Sequence, residues 1–293
     1  MSNSNILYIV GNGFDLAHGL KTCYQDFKKW LLDNGQHYFV KRIETLYPAI
    51  RNDDGEWNNI ERALGIFDMD EVLMFDKFFT DFGCQEETYN DVGANIKSVT
   101  VVLPKLLHKW IDTISLENVA KIYEIELNSI IINFNYTSTI EQVYEMEPTK
   151  VFHIHSSLME NSKEFIIGYR PEDGYDNNVW DADKTNDDVI RHNLLTNMIK
   201  PIDLCKYQLH CFFSHLSQIN EVRVIGHSCS RIDKPYFVDI ARTISKNAKW
   251  TFYIHDEVKK ESYERFANRI TKQDNLDQVY EVKNCKEIVV SNI

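Results

Sequence analysis

Four short polar stretches of the chain, rich in glycine, asparagine, histidine and serine, each stand at the end of a predicted β-strand. They are Gly11-Asn12-Gly13, Asn135-Tyr136-Thr137, His153-Ile154-His155 and Gly226-His227-Ser228. In parallel sheets the carboxyl ends of the strands lie along one edge, and ligands bind beyond that edge. The sequence therefore predicts that the four stretches form one binding site.

The residue types in these stretches suit chemistry on a nucleotide. The carboxamide of Asn135 could orient a ribose hydroxyl or a water, and a neutral imidazole at His155 could accept a proton near pH 7. Because Gly11 and Gly13 lack side chains, their backbone N–H groups could approach a diphosphate, next to the start of a helix expected from about Phe14. Together these groups favour cleavage of a nucleotide N-glycosidic bond.

Several of these residues also have a structural interpretation. The third glycine of a dinucleotide-binding motif is missing, since Leu16 stands there, and the turn could simply precede a helix capped by Asp15. Asn135 could likewise cap the helix that follows it. His153 and His155 are two residues apart, which predicts one face of a strand and fits a metal pair, but no third ligand is evident. We interpret His153 as structural and His155 as functional.

Two further patterns are weaker indications of a catalytic site. Gly226-His227-Ser228 does not complete the G-x-S-x-G pattern of a serine hydrolase, because Ser230 replaces the last glycine. Glu61 shares a predicted helix face with Trp57, and we interpret it as a capping or surface carboxylate rather than a catalytic one.

The composition limits the classes of function. With 44 acidic and 32 basic residues among 293, the net charge of −12 makes nucleic-acid binding an unfavourable hypothesis. Six cysteines without a C-x-x-C pair do not indicate structural zinc. The polar first residues and the lack of a long apolar run predict a cytoplasmic protein that does not enter a membrane.

Strands alternate with helices, which predicts an α/β fold with a Rossmann-like, mainly parallel sheet covered by helices on both faces. We expect residues 1–35 and 127–293 to form a nucleotide-binding domain and residues 36–126 to form a helical insertion. The predicted helices are 20–32 with Thr22 as N-cap, 57–68, 70–82, 91–114 with a kink or an interruption at Pro104, and 116–126. Residues 171–188 read as a long loop of the kind that covers a site.

The motifs resemble those of the phage abortive-infection AbiH family. The resemblance rests on Gly11-Asn12-Gly13-Phe14-Asp15-Leu16, Trp57-Asn58-Asn59-Ile60-Glu61, Phe134-Asn135-Tyr136-Thr137, His153-Ile154-His155, Ile167-Gly168, and Gly226-His227-Ser228 with Asp233. The family in turn resembles, more distantly, sirtuin-like enzymes that consume NAD in bacterial antiphage defence.

This resemblance implies roles for individual residues. Asn135 and His155 would be catalytic, and the nucleotide would be bound by Gly11, Asn12, Gly13, Phe14, Asp15, Tyr136, Gly226, His227, Ser228 and Asp233. Two positions depart from the sirtuin-like pattern: Thr137 stands where an aspartate is common, and Ser156 replaces a glycine after the histidine. The first departure removes a carboxylate from the Asn135 loop, and the second could narrow the pocket.

Our leading hypothesis is an antiphage effector that hydrolyses NAD or a related nucleotide, with NAD as substrate and neither a prosthetic group nor a metal. It could act as a homo-oligomer or respond to a phage-derived trigger. The alternative is a nucleotide-binding sensor without turnover. A weaker alternative is a nuclease in which His153 and His155 hold a metal.

Overall fold

A computed structural model of the protein describes residues 5–50, 56–66, 89–158, 165–171, 196, 198–213, 216–272 and 276–290. The predicted helix 70–82 and nearly all of the predicted loop 171–188 lie outside the described residues.

Six parallel strands form one sheet, as the alternation of strands and helices predicts. They are β1 Ile6–Val10, β2 Ile130–Asn133, β3 Val151–His153, β4 Glu221–Ile225, β5 Lys249–Ile254 and β6 Val279–Asn284. The spatial order β3-β2-β1-β4-β5-β6 places the first strand in the interior of the sheet, between β2 and β4. This is the strand order of a doubly wound nucleotide-binding fold. Successive strands are added on one side of β1 as far as β3, and on its other side from β4 onwards. The α/β, Rossmann-like prediction is confirmed.

The described helices precede, follow or connect these strands along the chain. They are α1 Asn12–Ala17, α2 Tyr24–Asp33, α3 His37–Leu46, α4 Ile60–Ala63, α5 Tyr89–Asp112, α6 Thr139–Val143, α7 Ile202–Phe212, α8 Lys234–Thr243 and α9 Lys260–Thr271. No helix in the described part of the chain is long and apolar enough to cross a membrane.

The apolar residues of the strands explain the core. Leu7, Tyr8, Ile9 and Val10 of β1 are fully buried, as a continuous apolar run predicts for an interior strand of a parallel sheet. The apolar residues of β4 and β5 are buried as well, and Trp250 of β5 stacks on Phe252 two residues along.

Several helix predictions differ from the structure. The second helix begins at Tyr24, and Cys23 rather than Thr22 is its N-cap, where the Cys23 thiol lies 2.8 Å from Asp26 Oδ2. The helix expected over residues 91–114 spans Tyr89–Asp112 and is not interrupted at Pro104. Residues 116–126 are not helical: Tyr123 forms an antiparallel bridge with Val289, which lies more than 160 residues away in the sequence. A partner so distant leaves no local sequence signal.

The contacts divide the chain into two compact units. One unit contains residues 1–22, 111–163 and 201–293 and includes the whole sheet. The other contains residues 23–110 and 164–200, with α2, α3, α4 and most of α5. In this second unit Lys200 and Glu61 form an ion pair with 2.7 Å between Nζ and Oε1, and the Lys200 side chain is fully buried.

A hydrogen-bonded tyrosine holds the extended segment before β2 against the end of α1. The hydroxyl of Tyr144 accepts the backbone N–H groups of Ile122 and Tyr123 at 3.1 and 2.9 Å. It therefore donates its own proton to Nε2 of His18, 2.9 Å away. The other ring nitrogen of His18 lies 2.7 Å from the Phe14 carbonyl and donates to it, so the ring is neutral. Burial accordingly lowers the pKa of His18.

We predict that Tyr144→Phe lowers the free energy of unfolding by about 2 kcal/mol or more, because two backbone donors and one ring nitrogen lose their partner. Chemical denaturation followed by circular dichroism measures the loss. The matched control is Tyr207→Phe, whose side chain is exposed, with an expected change within about 0.5 kcal/mol. Equal stability of the two variants would contradict the role given to Tyr144.

Candidate functional site

The loops after β1 and β4 meet at the point where the order of the strands reverses. Gly13 N–H donates to the Gly226 carbonyl at 2.7 Å, and Gly11 N–H donates to the Ile225 carbonyl at 3.1 Å. Gly226 has a φ of +66°, and a Cβ atom there would lie 2.1 Å from the backbone nitrogen of Phe14. A Cβ on Gly11 would lie 2.6 Å from Cα of His227. The glycines are thus needed for the two loops to touch.

This contact bears on the predicted diphosphate site. The amide groups of Gly11 and Gly13 are already hydrogen-bonded within the protein, so binding a diphosphate through them requires the two loops to separate. The side chain of Asn12 is exposed, and its amide donates to the Thr22 carbonyl at 2.9 Å. The ring of Phe14 is fully buried and packs against His18, Tyr123 and Tyr144, on the core side of the turn.

Asn135 connects β2 to the same turn. Its backbone N–H donates to Oδ1 of Asn133, and its side-chain Nδ2 donates to the Gly11 carbonyl at 3.2 Å. The carboxamide orientation is therefore fixed. Its oxygen, Oδ1, is buried and has no hydrogen-bond partner among the described residues.

A buried carboxylate lies beside this asparagine. Asp15 of α1 is only 1 % exposed, and its Oδ2 accepts the hydroxyl of Thr137 at 2.5 Å. Thr139 in turn donates to the Thr137 hydroxyl at 3.1 Å. The Asn135 loop thus has a carboxylate beside it. Asp15 of α1 supplies this group to Thr137, which lies 122 positions away in the sequence.

Burial is the main influence on the Asp15 carboxyl group and raises its pKa to about 6 from a usual 3.8. Hydrogen bonds from Thr137, Thr139 and Asn135, together with the charge of His153, oppose this rise. Its second oxygen, Oδ1, is buried without a hydrogen-bond partner in the part of the chain that the structure describes.

His153 is tied at both ring nitrogens. Nδ1 lies 2.9 Å from the Asn135 carbonyl, and Nε2 lies 2.7 Å from Oε1 of Glu141 on α6. The two partners are oxygen atoms that lie on opposite sides of the ring, so they fix its orientation. His153 therefore holds the Asn135 loop in place, which is a structural role.

His155 lies in a turn, since β3 ends at His153 and the predicted strand does not extend this far. Its ring is 5 % exposed and lies among Phe134, Tyr136 and Tyr236, with centroids 5.6 to 6.2 Å away. The ring of Phe134 also contacts His227 at 4.4 Å. The end of β2 thus brings residues from the β3 and β4 loops together.

The loop after β4 is held by His227. Its Nδ1 accepts the backbone N–H of Cys229 at 2.9 Å, and its Nε2 lies 3.6 Å from Oδ2 of Asp233. Ser230 donates to the same Asp233 oxygen at 3.0 Å. The His227 ring is therefore occupied in shaping the loop, whereas Ser228 is exposed.

Ser156 has a φ of +70° and is buried. Glycine adopts this conformation freely, whereas other residues are disfavoured in it by about 1 to 2 kcal/mol. The position therefore favours a glycine on physical grounds, and the serine is strained beside His155.

Unsatisfied polar atoms mark this edge of the sheet. Five buried side-chain atoms there have no hydrogen-bond partner among the residues that the structure describes: Asp15 Oδ1, Asn133 Nδ2, Asn135 Oδ1, Glu141 Oε2 and Ser157 Oγ. Such atoms are rare in folded proteins, and each is unfavourable by about 1 to 3 kcal/mol unless a water or ligand satisfies it.

The sequence did not indicate every member of the site. Phe134, Thr139, Glu141 and Tyr236 were not among the predicted site residues. Phe134 stands inside the Phe134-Asn135-Tyr136-Thr137 motif and could have been chosen from it, but no spacing marks Glu141. Within the described ranges, no group of three or more His, Cys, Asp or Glu side chains could hold a metal ion.

We predict that Gly226→Ala lowers the free energy of unfolding by about 3 kcal/mol or more, because it adds a backbone clash to an unfavourable φ. Gly19→Ala is the matched control. Gly19 also has a positive φ, +77°, but nothing lies within 4 Å of its added Cβ, so a loss of about 1 kcal/mol is expected. If urea denaturation shows the same loss of unfolding free energy in both variants, the contact between the loops does not contribute to stability.

A second prediction concerns Asp15 and pH. Its folded pKa of about 6 exceeds the usual 3.8, so the folded state holds the proton more tightly than the unfolded state. The resulting stabilisation is complete below about pH 4 and is lost as pH rises through about 6. Asp15→Asn removes this ionisation and should be more stable than the natural protein above pH 7, by up to about 3 kcal/mol.

Denaturation from pH 4 to pH 8 tests this difference, which should vanish at the acidic end. Asp239→Asn serves as the control, since that partly exposed carboxylate pairs with His210 at 2.7 Å and gives no such gain. A difference between Asp15→Asn and the natural protein that stays constant with pH would contradict the prediction.

Comparison with known proteins supports the family suggested by the motifs. Residues 7–254, most of the chain, match the family described as bacteriophage abortive infection AbiH. No curated protein and no solved structure matches the chain. Because the family match spans well over half of the residues, the protein belongs to the bacteriophage abortive infection AbiH family.

Proposed function

We propose that the protein is an abortive-infection effector that hydrolyses the N-glycosidic bond of NAD or a related nucleotide. Membership of the AbiH family indicates the role in phage abortive infection. The observation that carries the chemical part is the group of unsatisfied buried polar atoms at the carboxyl edge of the sheet. In doubly wound folds this is the edge at which nucleotides bind, and polar atoms left unpaired there are available to a ligand.

The proposed reaction uses two predicted residues. Asn135 Oδ1 accepts a hydrogen bond from the ribose or from the attacking water, while Nδ2 stays on the Gly11 carbonyl. Water adds to C1′ as the bond between C1′ and the nicotinamide nitrogen breaks. Nicotinamide leaves with the electron pair of that bond, which cancels its positive charge, and the proton of the water passes to the imidazole of His155. The products are nicotinamide and ADP-ribose.

The aromatic rings around His155 suit this reaction. Phe134, Tyr136 and Tyr236 pack around the base, with ring centroids 5.6 to 6.2 Å from that of His155, and aromatic rings can stabilise a neighbouring positive charge. A pyridinium ring and a developing oxocarbenium ion are both positively charged, so both are favoured in such surroundings. Ser228 remains our candidate contact to the nucleotide, because it is exposed on the loop after β4.

The enclosure of His155 also supports a second candidate function. A base that is 5 % exposed and surrounded by rings has little access to bulk water. A sensor that binds a nucleotide without cleaving it needs no such access. The third hypothesis, a metal-dependent nuclease, gains no observation in its favour.

The test is incubation of the purified protein with NAD and chromatographic detection of nicotinamide. We predict that His155→Gln and Asn135→Ala each reduce the rate of release by about 10² to 10⁴-fold, as for loss of a base or of an orienting group. Circular dichroism checks that both variants fold. The matched control is His37→Gln, since His37 is exposed, and its rate should equal that of the natural protein.

Three outcomes separate the hypotheses. Release that is lost in both variants supports the hydrolase. Full activity in both variants refutes the assignment of the two residues. Tight binding of NAD with no nicotinamide after hours, tested also with extract from phage-infected cells as a source of trigger, leaves the sensor as the better account.

A further inference from the structure

Asp15 accepts a hydrogen bond that does not require its charge. It lies on the six-residue helix α1, whose N-terminus it does not cap through a side-chain hydrogen bond. The Thr137 hydroxyl donates to its Oδ2 at 2.5 Å, and the oxygen of a neutral asparagine could accept that bond equally well. A buried carboxylate in such a place lowers stability, so selection for fold alone does not explain it.

The unpartnered oxygen of Asp15 and that of Asn135 belong to adjoining side chains. The carboxamide of Asn135 also contributes a hydrogen bond to the Asp15 carboxyl group. Because Asn135 Nδ2 is held by the Gly11 carbonyl, its oxygen cannot exchange places with its nitrogen without losing that bond. Both Asp15 Oδ1 and Asn135 Oδ1 are therefore fixed, buried acceptors without a donor among the described residues.

Two buried acceptors on adjoining side chains define the chemistry of the group that they bind. The ligand must offer two hydrogen-bond donors close together, and it cannot be an anion, because the carboxylate would repel it. Phosphate is thereby excluded from this position. Neighbouring hydroxyl groups on a sugar ring meet both requirements, and a hydrogen bond to a carboxylate is stronger than one between neutral groups.

We propose that Asp15 Oδ1 and Asn135 Oδ1 together bind the 2′,3′-diol of a ribose, so that the site selects ribonucleotides over deoxyribonucleotides. This inference rests on the proposed function in taking the ligand to be a nucleotide, but it does not depend on turnover. Asp15 is then a residue that binds the ligand and determines its specificity, and it lies on α1 rather than in the Asn135 loop.

The experiment measures binding by calorimetry with carba-NAD, a non-hydrolysable analogue that keeps the diol. Asp15→Asn should weaken its affinity by about 10 to 100-fold, the range of a lost charged hydrogen bond. The analogues that lack the 2′- or the 3′-hydroxyl complete a thermodynamic cycle. One of these analogues lacks the hydroxyl that donates a hydrogen bond to Asp15. For that analogue, Asp15→Asn should change the affinity less than threefold.

Asp239→Asn is the control, since its partner His210 lies on α7, and it should bind every analogue as the natural protein does. Equal binding of carba-NAD by Asp15→Asn and the natural protein overturns the inference. So does an equal weakening for all analogues, which would show general distortion. Failure of the natural protein to bind carba-NAD at millimolar concentration overturns it as well.

These outcomes are distinct from those for hydrolysis. Binding that discriminates between the analogues, with no nicotinamide released from NAD, refutes the hydrolase and leaves the diol site standing. Release of nicotinamide that proceeds with unchanged KM in Asp15→Asn refutes the diol site and leaves the hydrolase standing.

Discussion

The contact between the loops after β1 and β4 fixes the geometry of the whole site. The two backbones meet so closely, Gly13 N–H on the Gly226 carbonyl, that neither loop can carry a Cβ atom at the point of contact. Asn135 is then anchored to the carbonyl of Gly11, which places the end of β2 relative to that contact. His153 in turn holds the Asn135 carbonyl. Four strand ends are thus positioned by one backbone contact and the hydrogen bonds that extend from it.

On this scaffold the protein keeps polar groups that its fold does not need. A charged Asp15, a strained Ser156 and several unpaired atoms all lower stability, and all occur at the carboxyl edge of β1, β2 and β3. The interior strands β1, β2, β4 and β5 are mostly apolar and buried, which supplies the stability that this edge gives up. Such a division between a rigid frame and an unsatisfied edge is typical of a binding site.

The sequence predicts the frame better than the site. Apolar runs such as Ile6–Val10 identify strands because burial on both faces leaves a continuous signal, and their common direction places their polar ends together. Residues 116–126 were assigned wrongly because their partners lie in distant segments. For the same reason the link between Asp15 and Thr137, 122 positions apart, was invisible: a spacing argument reaches along one helix or strand, not across a sheet. The sequence shows each of the two motifs separately, and only the fold shows that they are in contact.

The position of β1 has a consequence for how the chain folds during synthesis. β1 leaves the ribosome before the other five strands of the sheet, yet it pairs with β2, beginning at residue 130, and with β4, beginning at residue 221. Its apolar side chains therefore stay without both neighbouring strands until β4 has been made. Pairing over such distances in sequence raises the contact order, which slows folding. It also leaves an apolar, aggregation-prone strand exposed on the nascent chain. The rate of translation and the supply of chaperones thus become part of what determines the yield of native protein.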